Sequence, residues 1–199
     1  LKLVNKRNYQ DEKLDFLVSK GLKGCKMINS ISMKYRRFMF VSENEEKQHF
    51  ELNHIVSEAL TFNEKGLNQH SITYKVEIPK SIHLLCLDTT LIQVLVNLIS
   101  NSIFEIKKQK APWISIKYRS KKTGGFLYII DSGNGIAKEI QDKIFDPLFS
   151  TKSQKEGTGF GLNFCLKELR NMDMNLRYIE SDNTVFAIEI PLKLLKLNS

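Results

Sequence analysis

Two glycine-rich stretches contain the residue types that could bind a nucleotide. The first, residues 131–135, is Asp-Ser-Gly-Asn-Gly and follows an apolar segment at 126–130 that predicts a strand. A carboxylate at a buried strand end needs a hydrogen-bond donor, and an exocyclic amine such as that of adenine is a suitable one. The two glycines would let a planar ligand lie close to the backbone. By itself, the pattern fits an ordinary Asp-Gly turn equally well.

The second stretch, residues 157–162, is Gly-Thr-Gly-Phe-Gly-Leu and opens a predicted helix. Glycine-rich backbone that enters a helix presents unpaired N–H groups and the positive end of the helix dipole to phosphate. No Gly-Lys-Ser or Gly-Lys-Thr follows, so the stretch is not a P-loop. It is also not a dinucleotide-binding fingerprint, because the two glycine segments are separate and no strand directly precedes the second.

A predicted helix upstream carries three carboxamides, Gln93, Asn97 and Asn101, spaced so that they share one face. Carboxamides can ligate a hard cation through oxygen or donate hydrogen bonds to phosphate. The alternative is a solvated polar stripe, which is the commoner explanation for such a stripe taken alone. Between the glycine stretches, residues 144–152 place two phenylalanines around a proline. This segment predicts either a hydrophobic plug or, together with residues 153–156, a short mobile lid.

The elements that would position these residues follow from hydrophobic periodicity. Residues 13–42 have apolar or glycine residues at alternating steps of three and four, which predicts a long bundle-type helix. Beyond a charged stretch the chain alternates helices and strands, with Asp88 as the expected N-cap of the amide-bearing helix. The helices are expected at 52–62, 89–107, 136–144 and 161–172, and the strands at 72–78, 83–87, 114–118, 126–130, 176–180 and 185–190. This order predicts an α+β two-layer sandwich, with helices on one face of a mixed sheet, preceded by the long helix.

Composition limits the class of protein. The 199 residues carry a formal charge of +8 and are 42% hydrophobic, and no run of 18 apolar residues occurs. The lysine clusters at 107–110 and 121–122 are not interleaved with aromatic residues, so we expect no nucleic-acid partner. Three scattered cysteines fit structural thiols in a reducing, cytoplasmic setting. The chain begins at Leu1 without methionine, and we expect it to be a fragment of a longer protein that could itself be membrane-anchored.

Taken together, the motifs resemble the ATP-binding catalytic domain of sensor histidine kinases, which has the Bergerat fold shared with DNA gyrase B, Hsp90 and MutL. The pair Asn97 and Asn101 is similar to the family's N box, residues 131–135 to its G1 box, residues 145–149 to its F box and residues 157–162 to its G2 box. The resemblance covers about residues 51–192.

The resemblance implies a role for each matching residue. Asn101 would coordinate Mg²⁺ at the phosphates of ATP, and Asn97 would contact phosphate or its water shell. Asp131 would accept a hydrogen bond from the adenine amine, next to Gly133 and Gly135. The remaining ATP-binding residues implied by the resemblance are Ile136, Phe149, Lys152, Gly157, Thr158, Gly159, Phe160, Gly161, Leu162 and Thr184.

One position separates the branches of this superfamily. Its ATP-hydrolysing members carry a glutamate general base four residues before the magnesium-binding asparagine, where this chain has Asn97. A carboxamide cannot take up a proton at neutral pH. The asparagine argues against activation of water or serine and for transfer to a better nucleophile, such as histidine, whose imidazole is partly unprotonated near pH 7.

The domain organisation implied by the resemblance has four parts. Residues 1–45 would be part of a dimerisation and phosphoacceptor hairpin, 46–50 a linker, 51–193 the ATP-binding domain and 194–199 a tail. None of the four histidines, His49, His54, His70 and His83, lies in an acceptor motif, so we expect the acceptor upstream of Leu1.

The expected function is therefore the catalytic region of a two-component sensor histidine kinase that uses ATP and Mg²⁺. Its partners would be the receiver domain of a response regulator and a second copy in a homodimer, with no membrane contact by this chain. Two alternatives remain open at this stage: an ATP-driven clamp or hydrolase of the same superfamily, and a non-catalytic module that binds ATP only as a conformational ligand.

Overall fold

The computed structural model describes residues 46–152 and 159–197, all within one compact unit, Ser42–Ser199. The helix expected over 13–42, and the whole hairpin part expected over 1–45, lie outside the described residues. The elements in chain order are β1 Gln48–Glu51, α1 Leu52–Gln69, β2 Thr73–Glu77, β3 Ile82–Cys86, α2 Asp88–Ile106, β4 Trp113–Lys121, β5 Gly124–Asp131, α3 Lys138–Gln141, α4 Gly161–Asn171, β6 Asn175–Ile179, β7 Thr184–Pro191 and β8 Leu195–Leu197.

The main sheet has five strands in the order β2-β4-β5-β7-β6. Only β2 and β4 run parallel, and the other neighbours are antiparallel, so the sheet is mixed as predicted. The strands predicted at 114–118 and 126–130 form β4 and β5, which pair as a hairpin with Lys121 opposite Gly124 across a two-residue turn. Gly125 has no room for a side chain, because a Cβ there would lie 2.2 Å from the hydroxyl of Tyr118.

A second sheet of three strands, in the order β1-β3-β8, corrects two predictions at the borders of the domain. The expected linker at 46–50 includes most of β1, which pairs with β3 from Gln48 to Glu51. The expected tail at 194–199 includes β8, which pairs with the other edge of β3. Both are short edge strands: β1 is Gln-His-Phe-Glu and β8 is Leu-Lys-Leu, and so few residues do not distinguish a strand from a loop in the sequence.

The helices follow the predicted pattern but differ at their ends. α1 continues to Gln69, beyond the predicted end at residue 62. Asp88 is the first residue of α2 and not its N-cap, which is Leu87; the Asp88 carboxylate accepts a hydrogen bond from the Thr89 N–H at 2.7 Å. α3 is only four residues long, and α4 begins at Gly161 as predicted.

Helix α2 is the central element of the core. The face opposite its carboxamides is apolar, and Leu91, Val94, Leu95, Leu98 and Ile99 on that face are all buried. It contacts α1, α4 and β5, so it lies between the other two long helices and packs on the main sheet. By length and composition α2 alone among the described helices could cross a membrane, but half of it is buried inside the fold, as expected for the core helix of a globular domain.

The burial of α2 predicts the stability of two variants. Leu95→Ala removes a side chain with 0% exposure and should lower the free energy of unfolding by about 2–5 kcal/mol. Phe62→Ala, on the 70% exposed side chain of α1, should change it by less than about 0.5 kcal/mol. Urea denaturation of both variants measures the difference, and equal losses would contradict the assignment of α2 to the core.

Candidate nucleotide-binding site

The carboxylate of Asp131 is buried at the end of β5, with 2% of the residue exposed. Its Oδ1 accepts a hydrogen bond from the Gly133 N–H at 2.8 Å, and the side chains of Ser102 and Thr184 also bond to it. Burial raises the pKa of this carboxyl above its usual value, and the three donors oppose that rise. The site thus places a buried, hydrogen-bonded acceptor group where the sequence predicted one.

The glycines after Asp131 bring the backbone close to that carboxylate. A Cβ at Gly133 would lie 2.6 Å from the Thr184 hydroxyl and 2.7 Å from Asp131 Oδ1, so only glycine fits. Thr184 is the β7 residue directly opposite Asp131 in the sheet. Gly135 adopts a φ of 75°, and the next residue, Ile136, donates its N–H to the Tyr178 hydroxyl at 2.8 Å. These contacts hold the backbone of residues 133–136 close to Asp131, Thr184 and Tyr178, so one wall of the site is made largely of backbone.

The second part of the site lies where α2 meets the start of α4. The carboxamide of Asn97 is half-buried there, and a Cβ at Gly161 would lie 2.8 Å from both of its polar atoms. Asn97 Nδ2 also donates a hydrogen bond to Cys165 Sγ at 3.1 Å. Asn97 therefore packs against α4 rather than belonging to a solvated polar stripe. Gln93, one turn earlier, has a buried Oε1 with no hydrogen-bond partner among the described residues.

Asn101 lies one turn beyond Asn97 and holds a cationic group. Its Oδ1 accepts a hydrogen bond from Lys152 Nζ at 2.9 Å, and the same ammonium lies 4.2 Å from the ring centroid of Phe104. Lys152, predicted to contact ATP, is thus placed on the oxygen predicted to ligate Mg²⁺. The ammonium is a stand-in cation, and it shows that this carboxamide oxygen is accessible to positive charge.

The Asn101 oxygen could bind a divalent cation only if other ligands came from outside the described residues. No group of three His, Cys, Asp or Glu side chains that could hold a metal occurs among residues 46–152 and 159–197. One carboxamide oxygen is too few ligands for a closed site, but it suits Mg²⁺, which keeps several waters and is commonly completed by substrate phosphates. The residues present therefore fit a cation that arrives with a phosphate ligand.

The segment between the two halves packs as a hydrophobic plug, which is one of its two predicted roles; residues 153–156 of the alternative lid lie outside the described residues. Phe145 and Phe149 are half-buried against the core. Asn163 of α4 donates its Nδ2 to the Phe145 carbonyl at 2.9 Å, which ties the segment to the helix. Leu148 has a φ of 68° and is 69% exposed, and a Cβ at Gly159 would lie 2.3 Å from its backbone. Close approach of two backbone segments therefore requires glycine at 159.

Three groups of predicted residues come together: Asp131 with Gly133 and Thr184, Asn97 with Gly161, and Asn101 with Lys152. Gly157 and Thr158 lie outside the described residues. Sequence reasoning missed Ser102, the α2 residue next to Asn101, whose side chain bonds to Asp131 and so joins the two halves of the site. It also missed Cys165 and Phe104, because a thiol and a ring beside the motifs resemble ordinary core residues.

The family model for histidine kinase-, DNA gyrase B- and HSP90-like ATPases matches residues 87–194, which include all of these contacts. Among curated proteins, the sensor protein KdpD of Clostridium acetobutylicum is 31% identical over 147 residues, covering 70% of this chain and 16% of KdpD. The chain thus spans less than a quarter of the length of curated relatives such as this one.

Solved structures share the fold. The nucleotide-free catalytic domain of histidine kinase ThkA is 29% identical with a TM-score of 0.65, covering 74% of this chain and 96% of that one. A longer ThkA structure, in complex with the response regulator protein TrrA, is 22% identical with a TM-score of 0.58, covering 88% of this chain and 49% of that one.

The buried carboxyl of Asp131 predicts a pH dependence. Its pKa is raised on folding, so its contribution to stability is fully present below the unfolded pKa of about 3.9 and is lost as pH rises through the folded value. The free energy of unfolding of the wild type, relative to Asp131→Asn, should therefore fall as pH rises from about 4 towards neutrality. Urea denaturation across that range measures it, with the exposed Asp142→Asn as a control for charge. If the free energy of unfolding of the wild type, relative to Asp131→Asn, rose with pH, the raised pKa of the Asp131 carboxyl would be contradicted.

Proposed function

This chain belongs to the histidine kinase-, DNA gyrase B- and HSP90-like ATPase family, and from that premise we propose that it is the catalytic part of a two-component sensor histidine kinase. It binds ATP with Mg²⁺ and transfers the γ-phosphoryl group to a histidine, from which an aspartate of a response regulator receives it. The relatives described above support this branch, because KdpD is a sensor protein and ThkA a histidine kinase.

The observation that carries the proposal is the locked carboxamide of Asn97. In the hydrolysing branch a general base would occupy this position, whereas here the side chain donates to Cys165 and packs against Gly161. An amide in this place cannot activate water by removing its proton. The chemistry that remains is positioning and electrostatic stabilisation of phosphoryl transfer to a nucleophile that needs little activation.

The chain's own residues divide that work. Asp131 accepts a hydrogen bond from the adenine amine, and Gly133 lets the base approach the backbone. The N-terminus of α4, opened by Gly161, offers backbone N–H groups to the phosphates. Asn101 would hold Mg²⁺, which neutralises the charge that develops on the phosphates. Before Asn101 can hold Mg²⁺, the Lys152 ammonium must leave the Asn101 oxygen. Once released, this ammonium is available to a phosphate.

The remaining parts of the proposal concern the longer protein. Residues 1–45 are proposed to contribute to a dimerisation hairpin and the acceptor histidine to lie upstream, with the kinase region cytoplasmic. The complex of ThkA with the response regulator protein TrrA supports a receiver domain as the partner. No role in binding nucleic acid is proposed.

Calorimetric titration with ATP, with and without Mg²⁺, tests the site. The wild-type chain should bind with a dissociation constant on the order of micromolar to submillimolar, and more tightly with Mg²⁺. Mg²⁺ should strengthen ATP binding at least about tenfold less in Asn101→Ala than in the wild type, which corresponds to about 1.4 kcal/mol. Asn68→Ala, an exposed asparagine of α1, is the matched control and should bind as the wild type does. Equal affinities for all three proteins would rule out Asn101 as the magnesium ligand.

Labelled ATP distinguishes transfer from hydrolysis. The chain alone, with Mg²⁺, should release phosphate far more slowly than the longer protein forms acid-labile, alkali-stable phosphohistidine. The reason is that neither Asn97 nor Asn101 can act as a general base, because both side chains are carboxamides. Rapid steady-state release of phosphate by the chain alone would favour the hydrolase alternative. ATP binding without any phosphohistidine in the longer protein would favour a non-catalytic module.

A further inference from the structure

The thiol of Cys165 contacts a residue of the nucleotide site from inside the core. Cys165 lies one turn into α4 with 0% exposure. Its Sγ accepts the hydrogen bond from Asn97 Nδ2 at 3.1 Å and lies 3.7 Å from the Val94 carbonyl oxygen, to which the S–H donates. Two hydrogen bonds thus link the Asn97 side chain of α2 to the Cys165 thiol of α4, and that thiol to the Val94 carbonyl one turn earlier in α2.

The direction of this chain is set by the protonation of the thiol. Burial raises the pKa of Cys165 to about 12, so the thiol stays protonated at neutral pH. The Val94 carbonyl can only accept, and therefore the thiol hydrogen points towards it. The lone pairs of the sulfur then remain for Asn97, and only the amide NH₂ end can bond to them.

The two ends of a carboxamide have nearly the same shape, and their hydrogen-bond partners decide which way round they sit. We propose that Cys165 is a positioning residue: it binds the NH₂ end of Asn97 and thereby leaves the amide oxygen to face the proposed Mg²⁺ or its water shell. This inference rests on the proposed function and refines it. An oxygen presented there suits the cation or its water shell, whereas the NH₂ end would suit a phosphate oxygen.

The absence of a side chain at Gly161 completes this arrangement. Gly161 and Cys165 are four residues apart and so lie on one face of α4. Gly161 leaves space for the carboxamide, and Cys165 supplies its acceptor. The Asn97 side chain is therefore confined in position by one residue and in orientation by the other.

A buried cysteine most often fills space, so the experiment must separate orientation from packing. Cys165→Ala removes the acceptor, and Cys165→Ser keeps an O–H group that can both accept and donate. Cys86→Ala is the matched control, because Cys86 in β3 is also 0% exposed, with a pKa raised to about 12. Each variant is measured by urea denaturation and by ATP titration with and without Mg²⁺.

The expected result is a selective loss. Cys165→Ala should lower ATP affinity about 5–10-fold with Mg²⁺ and leave the magnesium-free affinity within about twofold of wild type. Cys165→Ser should restore most of the magnesium-dependent affinity. Cys86→Ala should lose stability without this change in affinity. Equal losses of magnesium-dependent affinity in Cys165→Ala and Cys86→Ala would overturn the proposal.

A second readout does not depend on nucleotide. The side-chain ¹H–¹⁵N resonances of Asn97, assigned by their absence from Asn97→Ala, should shift in nucleotide-free Cys165→Ala and stay in place in Cys86→Ala. Unchanged resonances in Cys165→Ala overturn the positioning role even if ATP binds normally. A wild-type chain that binds no ATP overturns the proposed function instead, while the resonances still report on Cys165.

A double-mutant comparison closes the test. If Cys165 acts through Asn97, the effect of Cys165→Ala on magnesium-dependent affinity should disappear in an Asn97→Ala background. Additive effects of the two substitutions would mean that Cys165 acts independently of Asn97, and would contradict the proposal.

Discussion

The contact between the Asn97 carboxamide and the first residue of α4 is the constraint on which the rest of the site depends. A Cβ at Gly161 would overlap that amide, so the distance between α2 and α4 is fixed by the smallest possible side chain. Because the N-terminus of α4 is the proposed phosphate cradle, this spacing also fixes where phosphate lies relative to Asn101. The contact is so close that the missing side chain of Gly161, rather than the length of a loop, sets the position of the proposed phosphate-binding backbone.

Helix α2 transmits this constraint to the proposed base-binding end. Ser102 follows Asn101 directly, and its hydroxyl bonds to the buried Asp131 at the end of β5. One helix therefore holds groups proposed for both ends of a nucleotide, and its apolar face anchors them to the core. The buried carboxylate is costly to the folded state at neutral pH despite its three donors, as is common for residues kept for binding.

The sequence predicted what periodicity and backbone chemistry determine. The buried face of α2, the hairpin of β4 and β5 and the start of α4 at Gly161 all follow from local rules. The edge strands β1 and β8 did not, because three or four residues are too few to show a periodic signal, and these residues form strands only by pairing with β3. The contacts of Lys152 and Cys165 also depend on tertiary packing, since their partners lie 51 and 68 residues away in the chain.

The three-stranded sheet has a mechanical consequence. β1 enters opposite Cys86 and β8 leaves opposite Ile82, at the two ends of the same central strand, β3. Tension applied between residue 48 and residue 197 would therefore pull both outer strands along β3, loading their hydrogen bonds together in shear rather than opening them one at a time. Force that reaches the domain through both outer strands would therefore act on several hydrogen bonds of β3 at once.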